Sequence, residues 1–194
     1  AEPGAQEADL DRVRAEWGLN QPLPVQYAAF VKNIITGELG QSFNYEMPVS
    51  TLYFQRLPNS LELALAATLI SFIIGIPAGL ISAVKVNSAW DNAGKVIALF
   101  GLAVPGFWMG LTLILLFSVW LHVFPPGGYV PFATDPRDNL LHLAMPAATL
   151  GVFLGATLLR FLRGDMLEAL GSDYVRTARS KGLAESTVVL KHAL

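Results

Sequence analysis

The fold is decided by residues Leu63 to Val84, which read LALAATLISFIIGIPAGLISAV. This run of 22 residues contains no charged side chain. An α-helix rises about 1.5 Å per residue, so the run is long enough to cross a hydrocarbon core of about 30 Å. The sequence therefore predicts a transmembrane helix at about residues 60–84.

Two further stretches have the same character. Val96 to Phe124 and Leu140 to Leu159 are uncharged runs of 29 and 20 residues. Such continuous runs are longer than the apolar stripes of soluble core helices. We predict spans at about 95–123 and 140–162, and hence an all-α, polytopic membrane helix bundle with three complete spans.

The composition supports a membrane protein and excludes several site chemistries. Of the 194 residues, 53% are hydrophobic and 14% are charged, against about 25% charged in soluble domains. The chain has no cysteine, which excludes disulfides and thiolate sites. Its three histidines are far apart in sequence, and no basic arm indicates nucleic acid. We predict no cofactor, no metal site and no catalytic residue.

The chain is predicted to divide at residue 59. Residues 1–59 are more polar and hold two candidate helices, Glu7 to Trp17 and Leu23 to Ile35, each followed by a glycine that can end it. Residues 60–194 form the predicted transmembrane domain. Its last part, residues 163–194, is predicted to lie in the cytoplasm.

The distribution of basic residues predicts the orientation. They collect after the first and third runs, at Lys85, Lys95, Arg160, Arg163, Arg176, Arg179, Lys181 and Lys191. Cytoplasmic segments of membrane proteins carry this excess. We predict residues 85–95 and 160–194 in the cytoplasm, and residues 1–59 and 124–139 outside.

Small residues and prolines recur in the spans. Each span holds one Gly-x-x-x-Gly spacing and one proline, which can bring helix backbones together or bend them. Two readings remain open: tight packing of an ordinary bundle, or kinked helices around a path that opens and closes. The candidate packing and hinge residues are Gly75, Pro77, Gly79, Pro105, Gly106, Gly110, Pro146, Gly151 and Gly155.

A short basic segment follows the third run. Asp173 to Leu183 reads DYVRTARSKGL, and a helix of about two turns is predicted between the breaks at Gly171 and Gly182. Tyr174 and Ala178 would share one face of this helix. From the residues alone, the segment suits anionic lipid or a protein partner equally well.

This segment, with Val188 to Leu194, closely resembles the cytoplasmic loop of ABC importer permeases, in the branch that takes up dipeptides, oligopeptides and nickel. Ala178 and Gly182 match the last alanine and the glycine of the family pattern, while Arg176 and Thr177 replace its glutamate and first alanine. Further similar motifs occur in the family order at Gly18–Leu23, Gly37–Ser42, Pro105–Trp108, Pro126–Tyr129 and Leu143–Ala147.

The resemblance implies a type I importer permease in a bacterial or archaeal cell membrane. Its expected partners are two ATP-binding subunits, a homologous second permease and an extracytoplasmic solute-binding protein, besides membrane lipid. It also implies one span before Ala1 and two after Leu194, so that the sequence is a fragment. The expected ATPase-docking residues are Asp173, Tyr174, Val175, Arg176, Thr177, Ala178, Arg179, Ser180, Lys181, Gly182 and Leu183.

A secondary transporter and an intramembrane enzyme are the two other classes of protein to which such a sequence could belong. A secondary transporter would place ionisable residues inside the spans or break its helices at the midplane, and the runs have predicted kinks but no charged side chain. An intramembrane enzyme would need a nucleophile with a base, and the serines and threonines of the runs have no such partner in sequence. The chain also lacks a phosphate-binding loop, so ATP hydrolysis is expected in a separate subunit.

Overall fold

A computed structural model describes Arg14 and residues 18–42, 44–45 and 47–193, without the side chains of residues 192 and 193. The chain forms two compact units, residues 1–58 and 59–194. The predicted helix from Glu7 to Trp17 lies outside the described residues except for Arg14. The predicted boundary at residue 59 falls inside a continuous helix, and the domain assignment stays a prediction.

The first unit contains helix α1, Leu23–Thr36. Pro22 precedes it, and Gly37 follows it with a φ of 80°, which is the left-handed conformation that glycine adopts without strain. Beyond α1 the chain makes an isolated antiparallel bridge between Gln41 and Pro48. This turn leads into the next helix, which begins at Val49.

Two long helices form the framework of the membrane domain. Helices α2, Val49–Val84, and α5, Pro136–Gly171, each have 36 residues and are apolar enough to cross a membrane. Asp135 caps α5, since its carboxylate accepts hydrogen bonds from the backbone N–H groups of Arg137 and Asp138 at 3.0 Å. At about 1.5 Å per residue both helices extend well beyond a hydrocarbon core of about 30 Å.

The predicted span at 95–123 differs most from the structure. It is divided between α3, Ala89–Ala103, and α4, Gly106–Leu113, which continues as a π-helix over Ile114–Trp120. The two parts are bent by 98° at Val104 and Pro105, and they make a third span only if the bent pair crosses the membrane as one. Proline keeps the residue before it out of the helical region and lacks an N–H, so α3 ends there.

Three short elements complete the chain. Helix α6, Asp173–Ser180, follows a one-residue break at Ser172, and Gly182 ends it with a φ of 77°. Helix α7, Glu185–Val188, continues as a π-helix over Val189–Ala193. The part of the chain that the structure describes holds helices and one bridge pair but no strand, which confirms the predicted all-α membrane bundle.

Helices α2 and α5 cross at glycines. A Cβ atom on Gly75 would lie 2.8 Å from the carbonyl oxygen of Gly155, and one on Gly151 would lie 3.0 Å from that of Ala67. These distances are too short for real side chains, so the crossing depends on glycine at both positions. Two of the three Gly-x-x-x-Gly spacings therefore pack helices together within this chain.

The third spacing is not used in the same way. A Cβ atom on Gly106 would meet nothing within 4 Å, and the nearest atom to one on Gly110 would be 3.9 Å away, in Thr149. Gly106 opens α4 directly after the break, where its surface is exposed. Of the three prolines, only Pro105 lies at a break, whereas Pro77 and Pro146 lie within α2 and α5.

Candidate functional site

Helix α6 contains most of the residues that were predicted to dock an ATPase. One face of this helix packs against its own chain. Val175 and Ala178 are buried together with Val188 of α7, and Leu170 packs against this cluster from the end of α5. Ala178 was expected to face a partner beside Tyr174, but its side chain is only 6% exposed. Residues 175 and 178 are three apart and share the inner face of the helix, which the apolar side of α7 covers.

An ion pair links the ends of α6 and α7. Arg179 donates from Nη2 and Nε to the two carboxylate oxygens of Glu185, at 2.6 and 3.1 Å. These hydrogen bonds from Arg179 hold the pKa of Glu185 below its usual range. Arg179 was expected to meet acidic groups of a partner, and the structure shows it engaged within the chain.

The outer face of α6 is polar and open. Tyr174 is 54% exposed, and the side chain of Arg176 is 77% exposed. Nη1 of Arg176 lies 3.7 Å from Oδ1 of Asp173. The other exposed members of the predicted segment are Asp173, Thr177, Arg179, Ser180, Lys181, Gly182 and Leu183. The helix therefore presents an aromatic ring and basic groups on its outer face, while its inner face is packed against α7 and Leu170.

A second apolar cluster joins this segment to the long helices. Val189, just after α7, is buried with Ala83 near the end of α2 and Met166 near the end of α5. Leu80, Leu162 and Leu170 pack around the three. Leu170 contacts both clusters, so α6 and α7 rest on the same ends of α2 and α5.

A fully buried carboxylate lies at the same end of the bundle. Asp91, in the first turn of α3, accepts hydrogen bonds at Oδ1 from Ser82 Oγ at 2.6 Å and from Arg163 Nε at 2.7 Å. Its Oδ2 accepts from the backbone N–H of Asn87 at 2.9 Å and from Arg163 Nη2 at 3.1 Å, and it pairs with Lys95 Nζ at 2.8 Å. We call these five residues the Asp91 cluster.

Sequence analysis missed the Asp91 cluster. Lys95 and Arg163 were considered only as topology markers, and Asp91 was not considered at all. A signal was present, since Asp91 is the one acidic residue between Glu62 and Asp135. It also follows Ser88, whose Oγ accepts the backbone N–H of Asp91 as a helix cap.

The opposite end of the bundle is held by a second polar contact. Glu62 of α2 accepts hydrogen bonds at Oε2 from Tyr129 Oη and from Asn139 Nδ2, both at 3.1 Å. Asn139 is 2% exposed and also donates to the carbonyl oxygen of Val130 at 2.7 Å. Burial and the hydrogen bond to Glu62 raise the pKa of the Tyr129 hydroxyl. These contacts attach the loop before α5 to α2.

Asn139→Leu is expected to release this loop. Leucine cannot donate to Val130 or Glu62, and a buried polar group left without a partner costs about 1–3 kcal/mol. We expect faster hydrogen exchange around Val130, measured on the purified protein. Tyr129→Phe is the matched control, because it removes one hydrogen bond to Glu62 and leaves Asn139 bonded. Equal exchange in Asn139→Leu and the unaltered protein would contradict this role for Asn139.

No group of three or more metal-binding side chains occurs within the described residues. The site therefore consists of the exposed face of α6, the two apolar clusters and the Asp91 cluster. Such an arrangement can bind a partner and pass on its movement.

Comparisons with known proteins identify the family of the chain. Residues 75–194 match the family described as binding-protein-dependent transport system inner membrane component. The chain is 41% identical over 190 residues to a putative peptide transport system permease protein of Brucella abortus, covering 98% of this chain and 60% of the relative.

Two other relatives come from Bacillus subtilis and Escherichia coli. The oligopeptide transport system permease protein AppB of Bacillus subtilis is 40% identical, covering 100% of this chain and 62% of the relative. The probable D,D-dipeptide transport system permease protein DdpB of Escherichia coli is 36% identical, covering 98% and 62%. The chain thus spans about three fifths of the length of these relatives.

Proposed function

Because the chain belongs to the family of binding-protein-dependent transport system inner membrane components, we propose that it forms part of the translocation path of an ATP-driven peptide importer. Family membership confirms the resemblance found in the sequence. It also identifies a multi-pass membrane component of a transport system rather than an enzyme. ATP-driven import, the solute and the partners are the proposed part.

The proposal rests on the packing of α6, which has one buried face and one exposed face. Its inner face is closed by α7, and its outer face presents Tyr174, Arg176 and Lys181. The inner face of this short helix is packed, and its outer face exposes aromatic and basic side chains. Such a helix is complementary to a cleft that has acidic groups at its edge. We assign this face to an ATP-binding subunit. A homologous second permease would bring a second copy of the surface to a second such subunit.

The orientation follows from charge and is supported by contacts. The clusters around Asp91 and Ala83 bring residues 85–95 and 160–193 to one end of the bundle. This end carries the basic excess, so we assign it to the cytoplasm. The contacts of Glu62 hold residues 129 and 139 beside the start of the uncharged run of α2. We assign this side to the outside, where a solute-binding protein would deliver its solute.

Peptides are the proposed solutes. The relatives from Brucella, Bacillus and Escherichia are named as permeases for peptides, oligopeptides and D,D-dipeptides. Nickel is an alternative solute that the resemblance of the sequence to the peptide and nickel branch leaves open. Uptake of labelled dipeptides, oligopeptides and Ni²⁺ by the assembled transporter distinguishes the three.

The docking assignment is tested with the double variant Tyr174→Ala/Arg176→Glu. The variant removes the exposed ring and reverses a charge without touching the buried face of α6. In the full-length permease produced with its partner subunits, we expect at least tenfold less ATPase to co-purify, and ATP-dependent uptake to fall in proportion. Both are measured against the same amount of membrane-inserted permease.

Arg137→Glu is the matched control. Arg137 is also an exposed arginine, but it lies in the first turn of α5 at the proposed outer end. The control should retain the ATPase subunit. Normal ATPase retention and normal uptake in the double variant would overturn the docking assignment. Uptake driven by a proton gradient without ATP would instead identify a secondary transporter.

A further inference from the structure

We propose that Asp91 is a positioning residue that clamps the α2–α3 turn to the part of α5 that carries α6. Movement of α6 is then passed directly to α2 and α3. The role rests on the proposed function, because it assumes that a partner moves α6. The Asp91 cluster itself is a property of the chain alone.

The clamp joins three helices at one carboxylate. Ser82 belongs to the end of α2, Asp91 and Lys95 to the start of α3, and Arg163 to α5. Asn87, in the turn between α2 and α3, has a φ of 60° and donates its N–H to the same carboxylate. The turn and both helix ends are therefore held against α5 through a single buried group.

Arg163 makes the contact stiff. Its guanidinium uses two nitrogens on the two oxygens of Asp91, at 2.7 and 3.1 Å. A planar two-point contact restricts rotation as well as distance. Burying an ion pair seldom adds much net stability, because desolvation offsets the attraction. The distinctive effect of this pair is that it fixes the relative position and orientation of the helices around Asp91 and Arg163, which lie 72 residues apart in sequence.

The connection from Arg163 to α6 is short and continuous. Helix α5 runs without a break from Arg163 to Gly171, and α6 begins two residues later at Asp173. A second contact runs in parallel, since Val189 beyond α7 packs on Ala83. Ala83 is the neighbour of Ser82, which donates to Asp91. The segment that contains α6 and α7 is therefore connected to the Asp91 cluster from both of its ends, through Arg163 of α5 and through the contact of Val189 with Ala83.

Helices α3 and α2 lead away from the clamp to a sharp bend and to a helix crossing, respectively. Helix α3 leads from Asp91 to the 98° bend at Val104 and Pro105. Helix α2 leads from Ser82 to the crossing at Gly75, which contacts Gly155 of α5. A rigid element that ends at a break transmits rotation to that break. The clamp would therefore convert displacement of α6 into rotation of α3.

The first measurement needs no partner subunit. Hydrogen exchange of the peptide spanning residues 85–91 is compared in purified full-length permease carrying Asp91→Asn, Arg163→Lys or Asp165→Asn. We expect at least tenfold faster exchange in Asp91→Asn and a smaller increase in Arg163→Lys, which keeps the charge but loses the two-point contact. Asp165→Asn is the matched control, because Asp165 is exposed on the same helix as Arg163. Unchanged exchange in Asp91→Asn would overturn the clamp.

The second measurement uses the assembled transporter in lipid vesicles. Asp91→Asn is expected to retain the ATPase subunit and its basal hydrolysis, because the outer face of α6 is untouched. Uptake per ATP hydrolysed should fall at least tenfold, with an intermediate value for Arg163→Lys. A merely structural role would lower the amount of folded complex and leave this ratio unchanged.

The outcomes separate the two proposals. If the unaltered permease couples ATP hydrolysis to uptake and Asp91→Asn does so equally well, the positioning role is overturned while the proposed function stands. If the unaltered permease retains no ATPase, the proposed function and the transmission role both fail. Faster exchange in Asp91→Asn would then support only the local clamp.

Discussion

Gly75→Val is expected to disrupt the crossing of α2 and α5. Even the Cβ atom of the new side chain would lie 2.8 Å from the carbonyl oxygen of Gly155, and this backbone atom cannot turn away as a side chain would. Overpacking of this kind costs about 1–3 kcal/mol, and more where backbones must separate. We expect a lower denaturation midpoint for the full-length permease in detergent micelles and less protein in the membrane.

Gly164→Val is the matched control for this substitution. Gly164 also lies within a long helix, but a Cβ atom there would meet nothing within 4 Å. Its stability should stay within about 0.5 kcal/mol of the unaltered protein, as at most surface positions. If both variants lost stability equally, helix propensity rather than the crossing would explain the effect.

The same contacts rank alanine substitutions along the crossing. Gly151→Ala should be harmful, because its Cβ atom would lie 2.6 Å from Cγ2 of Ile70. Gly155→Ala should be milder, since its nearest neighbour is 3.4 Å away, and Gly110→Ala milder still at 3.9 Å. A sequence motif would predict equal effects at all these glycines. The distances predict an order.

Val188→Asp is expected to detach α6 from α7. Val188 is completely buried against Val175 and Ala178, and no cation belongs to that cluster. An unpaired carboxylate in such a place costs roughly 2–5 kcal/mol, so the short helices should open. Trypsin should then cleave after Arg176 and Lys181 at least tenfold faster, while membrane insertion of the long helices stays normal.

Ser186→Asp places the same carboxylate in the same short helix, at an exposed position. It should leave the cleavage rate within about twofold of the unaltered protein, because a solvated charge on a helix surface costs little. Rapid cleavage of the Ser186→Asp variant, or slow cleavage of Val188→Asp, would contradict the packing of α6 on α7.

The elements that follow from local signals were predictable. Pro22 and Gly37 bound α1 where the sequence predicted a helix, and the breaks around α6 lie next to Gly171 and at Gly182. The two long helices contain the first and third uncharged runs. The second run was predicted as one span, and its sharp bend at Pro105 shows that run length alone does not determine direction.

The partners of individual side chains were not predictable from the same signals. Tyr174 and Ala178 are four residues apart on one helix, yet one is exposed and the other is buried, because α7 covers only part of the surface they share. Likewise, the glycine spacings look alike in sequence. Only contacts with the opposite helix separate Gly75 from Gly106.

The sequence by itself therefore determined the membrane bundle, its basic end, the position of the short helix α6 and the family. These properties depend on run length, charge distribution and breaks among neighbouring residues, which any window of the sequence displays. The tertiary structure alone decided which glycines support the crossing, which face of α6 is open, and that Asp91 meets Arg163. The last contact joins residues 72 apart, and only the folding of α5 against α2 and α3 brings them together.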